Sequence, residues 1–145
     1  MREYAAIGIG TLLALALLSG PRLAVAQRPG SPCLRYESDT VALAGTLRRE
    51  TFPGPPNFES VGRGDRPETG YYLHLASPVC TVADSNNDAV PGARLVQLVL
   101  DSAGYARLRP RLGRRVQLRG ILFAAMSGHH HAPVVMRVLE PAAER

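Results

Sequence analysis

The sequence contains no lysine and no tryptophan, and among 145 residues it has only two cysteines and three phenylalanines. All 17 basic residues are therefore arginine, a uniformity that reads as a compositional habit. With so little aromatic bulk, aliphatic side chains must do most of the packing. Several chemical signatures are missing too. There is no Gly-x-Ser-x-Gly elbow, no Walker loop and no dinucleotide fingerprint. No His-Glu-x-x-His pair or Cys/His zinc spacing occurs, and the cysteines lack the Cys-x-x-Cys spacing of a redox pair. No catalytic residue is assigned and the protein is expected not to be an enzyme. Asp65 and Glu68 sit in a Pro/Gly-rich stretch and can act as acid and base in principle, but two loop carboxylates are usually just solvated. Ser127 beside Gly128 and His129 is too generic to use.

No segment reaches the roughly 20 consecutive apolar residues of a transmembrane anchor. The chain opens instead with Arg2, a shorter apolar run from Tyr4 to Leu18, helix breakers at Ser19, Gly20 and Pro21, and small residues at Ala24 and Ala26. Residues 1–26 thus read as a signal peptide, with Gln27 as the new N-terminus. No small-residue box directly precedes Cys33, so no lipid anchor is expected. Residues 27–145 suit one small domain, exported to the periplasm or secreted. In an exported chain the lone pair Cys33 and Cys80 is expected to form a disulfide.

Val41 to Arg49 alternates apolar with small or polar residues, the period of a half-buried strand. Thr51 to Gly70 carries four prolines and four glycines and reads as one long irregular loop. Tyr71 to Ala76, Arg94 to Leu100, Arg114 to Phe123 and Pro133 to Leu139 read as further strands. A short helix, capped by Ser102, is expected to run to Arg109 before Pro110 stops it. Two strands share the pattern Val-x-Leu-x-Gly-x-Leu, at Val41–Leu47 and Val116–Leu122. A glycine inside a strand weakens it, so its repetition points to bends or bulges of strands coiling around a small barrel. Three strands, a short helix and two strands match a mainly β, five-stranded OB-like barrel with the helix between strands three and four.

Several stretches together carry a family resemblance: Cys33-Leu34-Arg35-Tyr36-Glu37, Phe52 to Ser60, Gly64-Asp65, Pro67-Glu68-Thr69, Leu73-His74-Leu75 leading to Cys80, and Gly128-His129-His130-His131-Ala132-Pro133. From about Cys33 to Val138 the chain resembles the domain-of-unknown-function family 4431, a group of exported bacterial domains. The resemblance implies export and a single small domain, and brings no activity with it.

Two clusters are candidate sites. Arg107, Arg109, Arg111, Arg114, Arg115 and Arg119 lie in a stretch, Ser102 to Leu139, that holds no acidic residue. Guanidinium groups pair bidentately with carboxylate and phosphate, so the expected function is a non-catalytic binding module for an anionic envelope polymer or a protein partner. Export and the few stacking aromatics argue against nucleic acid. The alternative for this cluster is a solvated face. The second cluster is His129, His130 and His131, with His74 as a further imidazole. No cofactor is expected beyond a transition metal at this loop. Consecutive side chains in extended backbone point to opposite faces, so only two of the three, joined by His74 or by an acid of the long loop, can meet on one ion. The competing reading is a loop whose imidazoles pack on the Pro/Gly-rich segment. If both clusters lie along one hairpin, they form a single basic surface.

Overall fold

The computed structural model describes residues 33–37 and 39–141; the signal-peptide assignment falls outside them. Five strands close into a barrel: β1 (Val41–Pro53), β2 (Pro67–Val79), β3 (Ala93–Val99), β4 (Arg115–Ala124) and β5 (Val134–Pro141). Their order around the barrel is β1-β2-β3-β5-β4, and only β3 and β5 run parallel. The helix α1 (Ser102–Leu108) lies between β3 and β4 and continues into a 3-10 turn, Arg109–Arg111. This is the five-stranded architecture the alternation pattern predicts.

Period-two alternation fills the interior. Leu43 and Leu47 of β1, Leu73 and Leu75 of β2, Val96 and Leu98 of β3, Leu118 and Leu122 of β4, and Val134 and Met136 of β5 are all buried in one core. Leu108 of α1 joins them at one end of the barrel. Asp101, and not Ser102, caps this helix: its carboxylate accepts the Gly104 N–H at 2.6 Å, which satisfies one of the free donors of the first turn.

Cys33 and Cys80 are disulfide-bonded, with Cα atoms 4.7 Å apart. The bond ties the segment before β1 to the end of β2, where Leu34 bridges Thr81. Tyr36, buried in the core, accepts the Thr81 hydroxyl at 2.7 Å. Both glycines of the repeated strand pattern allow neighbouring backbone to approach. A Cβ on Gly45 would collide with the His74 carbonyl, and one on Gly120 with the Arg137 carbonyl. Gly120 also sits at an irregularity in the β4–β5 register.

The long irregular loop expected from Thr51 to Gly70 is shorter than its composition implies. β1 runs on to Pro53 and β2 starts at Pro67, with the register continuing from Glu50↔Gly70 to Pro53↔Pro67. Only the turn from Gly54 to Arg66 is irregular, and it holds a short 3-10 turn, Val61–Arg63. Proline is tolerated here because this part of β1 pairs with β2 alone, and both prolines stand at strand ends.

Candidate functional site

The extended β1–β2 ribbon has two faces with different fates. Phe52, Glu68, Gly70, Tyr72 and His74 alternate onto the outer face, whereas Arg49, Thr51, Thr69 and Tyr71 continue the inner one.

On the outer face the β4–β5 loop folds back over the sheet. Tyr72, Ala132 and Val135 are almost fully buried yet stand outside the barrel core, so they form a second small cluster under this loop. His131 stacks on Phe52, with ring centroids 4.9 Å apart and planes within 8°. One carboxylate fastens the loop: Glu68 Oε1 meets His129 Nδ1 at 2.6 Å and its Oε2 meets His131 Nε2 at 2.9 Å. The Gln97 amide holds the backbone between them, donating to the His129 carbonyl and accepting the His131 N–H. Burial, with Glu50 and Glu68 nearby, pushes the Tyr72 phenol up to about 12.

The β1–β2 turn supports this latch. Asp65 is buried and accepts backbone N–H groups from Ser60 at 2.7 Å, Asn57 at 2.9 Å and Glu59 at 2.8 Å. These bonds, the Ser60 and Asn57 ones foremost, hold its carboxyl below the usual range despite burial. The turn so fixed carries Phe58 at φ 59°, a left-handed conformation uncommon for a bulky residue. Its ring stands edge-on to His129 and fills the space beside Gly128 that a Cβ would occupy. Gly54 leaves similar room for the Glu68 side chain.

The structure separates the four imidazoles named above. His129 and His131 share Glu68, an acid of the Pro/Gly-rich stretch. His130 turns back on its own loop, its Nδ1 accepting the Met126 N–H at 2.9 Å. His74 pairs with Glu50. Among the described residues no group of three His, Cys, Asp or Glu side chains is arranged to hold a metal ion. The imidazoles do pack on the Pro/Gly-rich segment, through Phe52 and Phe58, but bond its carboxylate. Two of them are thus committed to β2, while the loop that carries them joins β4, with Arg115 and Arg119, to β5 in one antiparallel hairpin.

The latch has a definite pH signature. The hydrogen bond from His131, reinforced by His129, holds the Glu68 carboxyl below its ordinary value of 4.5. A depressed carboxyl stabilises the fold fully above the unfolded-state pKa, and the contribution disappears as pH falls through the lower folded value. Amide hydrogen exchange in residues 125–133 should therefore stay slow from neutral pH to about 5, after correction for intrinsic rates, and rise below 4.5. Glu68→Ala should give fast exchange in that loop at neutral pH. Equal protection in the wild type and Glu68→Ala would contradict the assignment.

On the inner face, the ribbon emerges past the core beside α1 and turns polar. An open cleft of about 450 Å³ forms there, lined by Arg49, Thr69, Tyr71, Tyr105, Arg109 and Leu112 among others. Arg49 comes from β1 and Arg109 from the turn after α1, so two separate elements each bring an arginine to the cleft. Neither pairs with a carboxylate among the described residues. Tyr105 stands edge-on to Tyr71, with centroids 4.9 Å apart.

Of the six arginines in the sequence cluster, only Arg109 lines the cleft. Arg107, Arg114, Arg115 and Arg119 are exposed, the last two on the outer side of β4, and Arg111 is half-buried and not free. Arg49, Thr69, Tyr71 and Tyr105 were missed in the sequence. The available signal was the alternation Leu43, Gly45, Leu47, Arg49, Thr51, which carries the inner face past the point where proline content implied a loop.

The segment from β3 to β5, with both the arginines and the His loop, is also the part of the chain that a family model matches. Residues 95–141 match the model for DUF4431, a domain of unknown function. The match is narrower than the motif resemblance, which begins near Cys33. No curated protein and no solved structure matches the chain. The DUF4431 segment supplies one wall of the cleft and the loop that covers the outer face. The disulfide fits an exported protein, and no helix among the described residues is long and apolar enough to cross a membrane.

Proposed function

We propose that this protein is an exported, non-catalytic binding module of the cell envelope whose partner is anionic. The observation that carries the reading is the exposed arginine set Arg107, Arg109, Arg114, Arg115 and Arg119, none paired with a carboxylate among the described residues, with Arg109 and Arg49 both lining the cleft. Folded domains usually intersperse both signs of charge on their surfaces. Exposed guanidinium groups not paired with a carboxylate offer bidentate sites to carboxylate or phosphate and raise the local concentration of a polyanion. The fold supports a binding role only by analogy, since barrels of this kind host many functions.

The test is binding of the disulfide-bonded protein to polygalacturonate, followed by fluorescence anisotropy. Affinity should fall steeply as ionic strength rises, because exposed charges are screened. Arg109→Gln should weaken it about tenfold, the equivalent of one charge-assisted contact. Binding indifferent to salt would remove the reading and leave the arginines as a solvated face.

A further inference from the structure

We propose that the cleft between the β1–β2 ribbon and α1 is a site for one acidic sugar unit, a hydroxyl-bearing ring with a carboxylate or phosphate group. The proposal rests on the anionic-partner reading and names the unit recognised.

Four features converge on this chemistry. First, Arg49 and Arg109 both line the cleft, so it offers two guanidinium forks to an anionic group. Second, Tyr71 is buried to 7% exposure, and its hydroxyl has no partner among the hydrogen bonds of the described residues. Among the described residues no buried side-chain oxygen is left unsatisfied, so that hydroxyl must reach solvent, and the cleft is the opening that Tyr71 lines. It is available as donor and acceptor to a sugar hydroxyl. Third, Tyr105 is 37% exposed and stands at 68° to Tyr71, presenting an aromatic surface to the C–H face of a saturated ring. Fourth, the volume of about 450 Å³ lies in the range of small-ligand sites, too large for an inorganic ion alone.

The competing surface is closed. Barrels of this architecture commonly bind ligands on the face of strands two and three and on the loops beside it. Here the chain's own β4–β5 loop covers that face, with Tyr72 and Val135 nearly inaccessible beneath it. Tyr105 offers its exposed ring to a nucleobase as well as to a sugar, so a nucleotide is the competing ligand that the titration must separate.

Calorimetric titration of the disulfide-bonded protein with four probes tests the proposal: trigalacturonate, glucose 6-phosphate, the neutral oligomer maltotriose, and adenosine 5′-monophosphate. One of the two acidic sugars should bind at least about tenfold more tightly than maltotriose. Preference for trigalacturonate assigns a carboxylate and preference for glucose 6-phosphate assigns a phosphate. Arg49→Gln and Arg109→Gln should each weaken that binding about tenfold, and Tyr105→Ala should weaken it several-fold. Arg94→Gln, at a residue that does not line the cleft and whose guanidinium donates to the Ala76 carbonyl, should leave it unchanged. Chemical-shift mapping on the wild-type protein, which needs no variant to fold, should place the perturbations at residues 49, 69–71 and 105–112. Equal affinity for maltotriose, tighter binding of the nucleotide, or no binding of either acidic sugar at millimolar concentration would each overturn the proposal. If polygalacturonate still binds in a salt-dependent way, only the cleft assignment fails. If it does not, the anionic-partner reading fails with it.

Discussion

Reducing the Cys33–Cys80 bond should lower the free energy of unfolding by about 4 kcal/mol. The cross-link joins residues 47 apart, and the entropy removed from the unfolded chain by closing a loop of that length is worth about that much. For a domain of this size, total stability is on the order of 5–15 kcal/mol, so the loss is a large fraction of the whole. The damage should begin where the bond acts. Leu34 donates to the Cys80 carbonyl and Tyr36 is buried against the barrel core, so releasing Cys33 frees the segment that closes this part of the structure. Urea denaturation of oxidised protein, reduced protein and the double variant Cys33→Ala/Cys80→Ala measures the effect. The two thiol-free or reduced forms should agree with each other. A difference of less than about 1 kcal/mol from the oxidised protein would mean that hydrogen bonds alone hold the segment.

Gly120→Val should be the most damaging single substitution in the barrel wall. Its β carbon would overlap the Arg137 carbonyl and approach Met136 Cγ to 2.7 Å. The backbone of β5 cannot retreat without cost, because Arg137 is paired with Ile121 on one side and Val99 on the other. Overpacking of a closed wall costs about 3 kcal/mol or more. Gly45→Val, which collides with the His74 carbonyl, should behave similarly. Gly62→Ala is the control: nothing but the Ser60 hydroxyl lies within 4 Å of its β carbon, so the change should stay within about 0.5 kcal/mol. Thermal unfolding of the three variants orders them. If Gly120→Val matched the control, the close strand contact at that position would be wrong.

The two glycines also show what was legible in the sequence. Mid-strand glycines at the same place in two similar strands marked a coiled barrel, because a residue without a side chain has a steric reason to recur there. The apolar run from Arg94 to Leu100 and the alternation in Arg114 to Phe123 located β3 and β4 to within a residue, since each has one buried face. Failure came where local composition and tertiary pairing disagree. Pro53 and Pro67 are loop-forming residues, yet they close the β1–β2 ladder as a terminal pair, a role that depends on a partner strand rather than on their own propensity.

The same distinction explains the site. Charge content pointed to Arg109, and the His run to a metal loop completed by His74 or an acid of the long loop, or else to imidazoles packed on the Pro/Gly-rich segment. The partner proved to be Glu68, 61 residues from His129, and such a pairing is set by barrel closure. Spacing carries no trace of it. Ser102 was the nearer cap signal by residue type, but Asp101 stands where the chain leaves β3 in extended conformation and can reach the Gly104 N–H. Tyr71 and Tyr105 meet only because α1 packs over the end of the ribbon.

The central claim is that the arginine-lined inner side of the β1–β2 ribbon binds the partner, and the loop-covered outer side does not. Chemical-shift mapping of isotopically labelled protein titrated with trigalacturonate tests it most directly. The account predicts perturbations at Arg49, Thr69 to Tyr71 and Tyr105 to Leu112, saturating together and reversed by salt. Shifts concentrated instead on Phe58, Met126 and His129 to His131, with the cleft silent, would contradict it.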